Sequence, residues 1–119
     1  MTITGIDHVQ VAAPAGCEDA ARAFYGALLG LEELPKPDAL QARGGCWFRA
    51  GGQELHVGVA DRFTPALKAH PGFVAADLDG LRARLDGAGI ETRSDESIPG
   101  SRRFFAADPF GNRLEFRQA

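Results

Sequence analysis

Three histidines and one glutamate carry the donor groups best suited to transition-metal chemistry in this sequence: His8, His56, His70 and Glu115. Imidazole and carboxylate groups together suit zinc, iron, nickel, cobalt or manganese, and the donor types alone do not select one of them. Each residue taken alone is ordinary, because a strand histidine is most often only hydrogen-bonded and a glutamate near a chain end is usually solvated. The elements that carry the four residues decide whether they act together.

Strand alternation predicts that all four donors avoid the apolar faces of their strands, because side chains two residues apart share a face. The apolar residues that alternate with them are Leu55, Val57 and Val59 around His56, Leu114 and Phe116 around Glu115, Val9 and Val11 beside His8, and Phe73 and Ala75 after His70. We therefore predict that the four donors converge on one metal ion, within one chain or across a dimer.

The elements follow one order twice. The first half is predicted as strand Ile6–Ala13, helix Glu18–Leu29, strand Leu31–Leu34 and a hairpin of Cys46–Ala50 and Gln53–Ala60 through Gly51 and Gly52. The second half is predicted as strand His70–Ala76, a helix capped by Asp77 and stopped by Gly89, strand Ile90–Arg93 and the pair Arg102–Ala107 and Asn112–Arg117.

The spacing of equivalent residues supports an internal repeat. Offsets of 59 residues separate Gly30 from Gly89 and Leu55 from Leu114, and 62 residues separate His8 from His70. His56 and Glu115 become repeat partners, as do His8 and His70. Two β-α-β-β-β modules, about 3–62 and 68–118, are expected to form a single α+β domain over residues 1–119.

Composition restricts the class of partner. The 119 residues carry 13 basic and 16 acidic side chains, a net charge of −3 with no block of like charge, which argues against nucleic acid or an anionic membrane surface. No apolar run approaches the ~20 residues that span a bilayer, and the first residues lack the pattern of an export signal. We expect a cytoplasmic protein that binds a small molecule. Its two cysteines, Cys17 and Cys46, carry no motif of a reactive thiolate.

Three segments resemble the vicinal oxygen chelate superfamily, which includes glyoxalase I, fosfomycin-resistance enzymes, extradiol dioxygenases and bleomycin-resistance proteins. They are the opening strand at residues 5–9, the helix end from Phe24-Tyr25-Gly26 to Leu29-Gly30-Leu31, and the closing segment from Asp108 to Phe116. The resemblance covers essentially the whole chain. It implies the glyoxalase/bleomycin-resistance/dioxygenase fold, in which paired βαβββ modules form a cup-shaped mixed sheet, often completed by a homodimer.

The resemblance also implies a function. His8, His70 and Glu115 match the two-histidine, one-carboxylate metal set of family dioxygenases and fosfomycin-modifying enzymes, whereas His56 stands where glyoxalase I has a glutamate. We therefore expect a divalent-metal enzyme acting on a small oxygen-rich molecule as a lyase, isomerase, thiol transferase or dioxygenase. His56 is interpreted as a fourth ligand or as the base, and His56 and Glu115 as the catalytic candidates. The alternative is a metal-free protein that sequesters a small molecule, as bleomycin-resistance relatives do.

Aromatic and basic residues near the repeat partners supply candidates for substrate binding. Trp47, Phe48, Phe104 and Phe105 occupy related places in the two halves, and Trp47 and Phe105 are predicted to contact substrate. Arg117 shares the face of Glu115, so it is the arginine predicted to hold an anionic group. The remaining arginines considered are interpreted as solvated strand edges: Arg102, Arg103 and Arg113.

Overall fold

A computed structural model describes residues 2–119, and its chain divides into two compact units, one ending at Thr64 and one beginning at Pro65. Each unit holds a four-stranded mixed sheet with one parallel and two antiparallel strand pairs. The predicted α+β class with two β-α-β-β-β sheets is confirmed. No helix among residues 2–119 is both long enough and apolar enough to cross a membrane.

Unit 1 contains four strands and three helical segments, with strand order β1-β4-β3-β2. They are β1 His8–Ala13, α1 Glu18–Ala21 followed by a π-helix at Arg22–Leu28, β2 Glu32–Leu34, α2 Asp38–Gln41, β3 Cys46–Ala50 and β4 Gln53–Val59. The helix α2 lies between predicted strands, in a segment for which the sequence predicts no helix. It starts after Pro37, whose carbonyl accepts the N–H of Leu40 at 2.9 Å.

The first helix differs in kind from the prediction of one regular α-helix over Glu18–Leu29. From Arg22 it widens to π geometry, and the N–H of Leu29 donates to the carbonyl of Phe24 five residues earlier. The wider turn buries the adjacent residues Phe24 and Tyr25 together, and the Tyr25 ring lies 5.8 Å from that of Phe48. A search for 3.6-residue periodicity misses this turn, because neighbouring residues of an α-helix point about 100° apart.

The apolar face of the unit 1 sheet follows the predicted alternation. Phe48, Leu55 and Val57 are each no more than 1% exposed. Because the π-helix packs on Phe48, the residues that alternate with this core face, His56 among them, lie on the sheet face away from the helix.

Unit 2 repeats the arrangement with strand order β5-β8-β7-β6. Its elements are β5 Gly72–Ala75, α3 Leu78–Gly87, β6 Arg93–Asp95, β7 Arg103–Ala107 and β8 Arg113–Gln118. Leu85, Phe104, Leu114 and Phe116 form the centre of its core, each no more than 1% exposed. Asp77 caps α3 as predicted, since its side chain accepts the N–H of Gly80 at 3.0 Å.

Strands β7 and β8 begin one residue later than predicted, and β5 and β6 begin two and three residues later. After α3 the chain turns through Gly89 at φ +79°, and the N–H of Ile90 donates to the carbonyl of Leu85. This helix-ending motif uses Ile90, so strand β6 starts at Arg93 rather than at Ile90. His70 precedes strand β5, because its ring bonds back to the carbonyl of Lys68 in a local turn.

Both predicted hairpins form. Ala50 pairs with Gln53 across the Gly51-Gly52 turn, where Gly51 has φ +62°. The longer turn between β7 and β8 is fixed by Asp108, whose carboxylate accepts the N–H groups of Phe110 and Asn112 at 2.9 and 2.8 Å. These hairpins set the register that places His56 on β4 and Glu115 on β8.

Candidate functional site

In unit 1, three aromatic rings stack across neighbouring strands on the face away from the π-helix. The centre of the His56 ring lies 3.9 Å from the centre of the Trp47 ring system, and the two planes differ by 3°. It lies 4.2 Å from the centre of the His8 ring, with an interplanar angle of 15°. Trp47 is the direct cross-strand neighbour of His56. His56 is therefore only 5% exposed, whereas His8 at the edge of the stack is exposed.

Each histidine of this stack has one ring nitrogen beside a carboxylate. His56 Nε2 lies 2.9 Å from Glu54 Oε1, and His8 Nδ1 lies 3.0 Å from Asp7 Oδ2. Because a carboxylate only accepts, each of these nitrogens carries the proton. The neutral rings then keep a free lone pair on Nδ1 of His56 and on Nε2 of His8.

The stacking restricts how His8 and His56 can share an ion. A ligating nitrogen directs its lone pair in the plane of its own ring, and the two planes are nearly parallel. Two such lone pairs run side by side and do not meet at one point. As stacked, the rings allow one of the two histidines, but not both, to bind a given ion.

In unit 2, His70 and Glu115 are in direct contact. His70 Nδ1 lies 2.7 Å from the carbonyl oxygen of Lys68 and therefore donates its proton there, while His70 Nε2 lies 3.0 Å from Glu115 Oε1. In a neutral imidazole this leaves the Nε2 lone pair facing a carboxylate oxygen. Two acceptors at that distance need a cation, either a second proton on the ring or a metal ion bound by both groups.

Glu115 is 8% exposed and is held in its ionised form. Burial alone would raise its pKa, but the hydrogen bonds from His70 and Arg103 outweigh burial, so that the pKa of Glu115 lies below its ordinary range. Arg103 Nη1 lies 3.3 Å and Arg117 Nε lies 3.8 Å from Glu115 Oε2. Oxygen Oε1 of Glu115 faces His70, and Oε2 faces the arginines.

The structure separates the four aromatic residues that sequence alone did not sort. Trp47 faces His56 and Phe105 is the direct cross-strand neighbour of Glu115, so these two belong to the polar faces. Phe48 and Phe104 alternate with them and lie in the cores. Trp47 and Phe105 are thus equivalent positions of the two sheets.

Sequence reasoning missed several residues that position the candidate ligands: Asp7, Glu54, the carbonyl of Lys68, and Arg103. Arg103, interpreted as a solvated edge, is mostly buried and contacts both Glu115 and Asp95. The register of the hairpin carried this signal, because Arg103 pairs with Arg117 and so shares the face of Glu115. Arg117 also donates to Ser101, and its side chain is 44% exposed.

The predicted ligands are joined in pairs, His8 with His56 in unit 1 and His70 with Glu115 in unit 2. Within residues 2–119, no three His, Cys, Asp or Glu side chains form a group that can hold a metal ion as placed. The donor chemistry nevertheless fits a metal, because all three histidines donate one N–H to an oxygen, which is the way proteins orient a ligating imidazole. With His8 and His56 stacked, at most one of them can join His70 and Glu115 on an ion, and convergence of the pairs stays a prediction.

The cysteines lie in the core of unit 1. Burial, followed by the charge of Glu18, raises the pKa of the Cys17 thiol to about 11, and burial also raises the pKa of Cys46. Both are no more than 2% exposed. Neither has the exposed, electropositive surroundings of a reactive thiolate.

Comparison with known proteins assigns the chain to a group. The family model described as the Glyoxalase/Bleomycin resistance protein/Dioxygenase superfamily matches residues 5–116. A solved protein from Bacillus anthracis, assigned to the glyoxalase family, is 53% identical over 99% of this chain and 97% of its own, with a TM-score of 0.96.

Two more distant structures share the fold. Lactoylglutathione lyase from Agrobacterium tumefaciens is 24% identical over 100% of this chain and 96% of its own, with a TM-score of 0.77. An antibiotic-binding protein from a Streptomyces species is 22% identical over 99% and 98%, with a TM-score of 0.74. None of the curated proteins matches this sequence significantly.

Proposed function

Because this chain belongs to the glyoxalase/bleomycin resistance protein/dioxygenase superfamily, we propose that it is a metal-dependent enzyme acting on a small oxygen-rich molecule. The reaction class is a lyase, isomerase, thiol-transfer or dioxygenase reaction. The observation that carries the proposal is the contact between His70 and Glu115, where a ring nitrogen and a carboxylate oxygen lie 3.0 Å apart, a spacing that a metal ion bound by both groups would bridge in place of a proton.

His8, His70 and Glu115 are the proposed ligands. His8 and His70 each donate Nδ1–H to an oxygen and so present Nε2 for ligation, and Glu115 presents Oε1 beside His70. The three donors come from both units, either of one chain or of two chains in a homodimer. These residues would hold a divalent metal, which would supply Lewis-acid chemistry toward a carbonyl or epoxide oxygen.

His56 is the proposed base in this arrangement. Because the His56 ring stacks on the His8 ring, its lone pair does not point to an ion bound by His8. Glu54 accepts the Nε2–H of His56, which leaves Nδ1 to take a proton from substrate. Imidazole is the side chain that most often serves as a general base near neutral pH. Trp47 covers the other face of the ring and limits its rotation.

The test is the metal content and metal affinity of protein purified without an affinity tag. The wild type is expected to hold close to one transition-metal ion per chain, and His8→Ala, His70→Ala and Glu115→Gln to lose affinity by at least about tenfold. Glu33→Gln removes an exposed carboxylate of unit 1 and serves as the charge-matched control. A wild type that binds no transition metal would overturn the proposal.

His56→Ala separates the two roles of that residue. As the base, its loss leaves metal affinity within about threefold and abolishes turnover. A loss of affinity equal to that of His8→Ala would make His56 a ligand and show that the stack opens when metal binds.

The second candidate function is binding without catalysis, and the aromatic stack favours it. Both faces of the His56 ring are covered, and the exposed His8 ring at the edge of the stack leaves its outer face for a planar ligand to stack on. Metal-free protein that retains a small molecule through purification, detected by native mass spectrometry, would select this function over the enzyme.

We also propose a homodimer, because two-fold dimers are the commonest assembly and partner chains often complete such sites. Light scattering is expected to give about twice the chain mass of 12.7 kDa. A mass of one chain at working concentration would contradict it.

A further inference from the structure

The sheet face of unit 2 that carries Glu115 has an excess of positive charge. Its arginines are Arg93 on β6, Arg103 on β7, and Arg113 and Arg117 on β8, and we call them the arginine face. Two carboxylates, Asp95 and Glu115, share it by strand alternation. Four cations against two anions leave a local charge of +2 in a chain whose net charge is −3.

Three of these guanidinium groups surround one ring. The guanidinium carbons of Arg113, Arg103 and Arg93 lie 4.3, 5.2 and 5.8 Å from the centre of the Phe105 ring. The π-face of Phe105 attracts each cation, but it does not neutralise their mutual repulsion. An arrangement of this kind is stabilised by an anion bound among the cations.

The carboxylates of Glu115 and Asp95 form ion pairs with only two of the four arginines of the arginine face. Glu115 and Asp95 engage Arg103, and Glu115 also attracts Arg117. Arg113 and Arg93 form no ion pair with any carboxylate of residues 2–119 within 4 Å. Arg113 Nε and Arg103 Nε are buried without a hydrogen-bond acceptor. Buried donors in native proteins almost always have an acceptor, so these two require one from outside the protein, which water or a bound anion can supply.

We propose that Arg113 and Arg93 bind an oxyanion, a carboxylate or a phosphoryl group, and that this group belongs to the substrate. Guanidinium groups recognise both through paired N–H···O bonds. The role as a substrate subsite rests on the proposed function, whereas anion binding itself needs no metal.

The strand register places the anion site relative to Glu115. Glu115 lies directly opposite Phe105, and Phe105 lies directly opposite Arg93. Two strand spacings of about 4.8 Å put the backbone of Arg93 about 10 Å from that of Glu115. The side chain of Arg93 spans this gap, because its guanidinium carbon lies over the Phe105 ring together with that of Arg113, so the anion site lies beside Phe105 and Glu115.

The experiment titrates metal-free full-length protein with sodium phosphate and, separately, sodium acetate, at constant ionic strength. Calorimetry gives the affinity, and the ¹⁵N-resolved Nε–H signals of the arginines locate the site. We expect saturable binding with a dissociation constant of about 1–10 mM and shifts of the Arg113 and Arg93 signals. The anion that binds with the higher affinity shows whether the site prefers a phosphoryl group or a carboxylate.

Arg113→Gln is expected to weaken binding by at least about tenfold, and Arg113→Lys, which keeps the charge but loses the paired donors, by about threefold or more. Arg49→Gln is the control, because it removes one exposed arginine from unit 1 and should change affinity by less than about twofold. Thermal melting checks that each variant folds, and Arg93→Gln replaces Arg113→Gln if that variant does not.

The inference is overturned if the wild type shows no saturable binding of either anion, or if folded Arg113→Gln or its replacement binds as the wild type does. Both results are independent of metal content. A protein that binds transition metal but no anion keeps the proposed function and loses this subsite, and the opposite result keeps the anion site alone.

Discussion

The two units have the same strand order, yet they stabilise their central polar residue by different means. In unit 1 this residue is His56 on β4, which is stacked between the rings of Trp47 and His8 and bonded to the carboxylate of Glu54. In unit 2 it is a carboxylate, Glu115, held by one imidazole and two guanidinium groups. One topology therefore provides two chemical environments, an aromatic one around His56 and a charged one, rich in arginine, around Glu115.

The cores of the units are far more alike than their polar faces. Leu55 and Leu114 occupy equivalent positions and are 1% and 0% exposed. Replacement of either by alanine is expected to lower the free energy of unfolding by about 3 kcal/mol, within the usual range of about 2–5. Urea unfolding followed by circular dichroism measures the loss.

Leu67→Ala is the matched control, because Leu67 is 95% exposed and its truncation should change stability by less than about 0.5 kcal/mol. A loss near 3 kcal/mol for one core leucine and below 1 kcal/mol for the other would show that the repeat does not extend to the packing of the cores.

The second prediction concerns the carboxylates on the polar faces. Glu115→Gln in metal-free protein at pH 7 is expected to cost about 2 kcal/mol, because charge-assisted bonds from His70 and Arg103 are lost at a site that is 10% exposed. Glu54→Gln should cost less than about 1 kcal/mol, since Glu54 is 34% exposed and an amide oxygen still accepts from His56. Equal costs in chemical denaturation would remove the contrast between the two environments.

A smaller effect is expected from Glu18, whose carboxylate accepts the N–H of Gly45 at 2.6 Å. This backbone hydrogen bond is the main reason that the pKa of Glu18 lies below its ordinary value of 4.5. A pKa lowered by folding stabilises the protein above pH 4.5, and the contribution is lost as the pH falls through the lowered value.

We therefore expect Glu18→Gln to cost about 1 kcal/mol at pH 7 and to approach the wild-type stability in acid, once Glu18 is protonated in both folded and unfolded chains. Unfolding measured across the pH range tests the slope. Asp19→Asn, at a fully exposed neighbouring side chain, should leave the pH dependence unchanged, and a cost that did not vary with pH would contradict the mechanism.

Alternation and turn chemistry were sufficient to predict the paired sheets, the hairpins and the face on which His56 and Glu115 lie. They did not predict the π-helix, because its widened turn follows from packing Phe24 and Tyr25 together and leaves no periodic trace. They also failed at Arg103, whose environment depends on cross-strand register rather than on its own neighbours in sequence. Local patterns predict elements, while contacts between strands decide which charges meet.

The two thiols of the chain both belong to unit 1, and their burial keeps thiol reagents from reaching them in the folded state. Unit 2 has no cysteine in its sequence. The rate at which a thiol reagent labels these cysteines therefore measures how often unit 1 opens, without engineered probes. The burial that leaves these cysteines without the surroundings of a reactive thiolate also makes their labelling depend on local unfolding of unit 1.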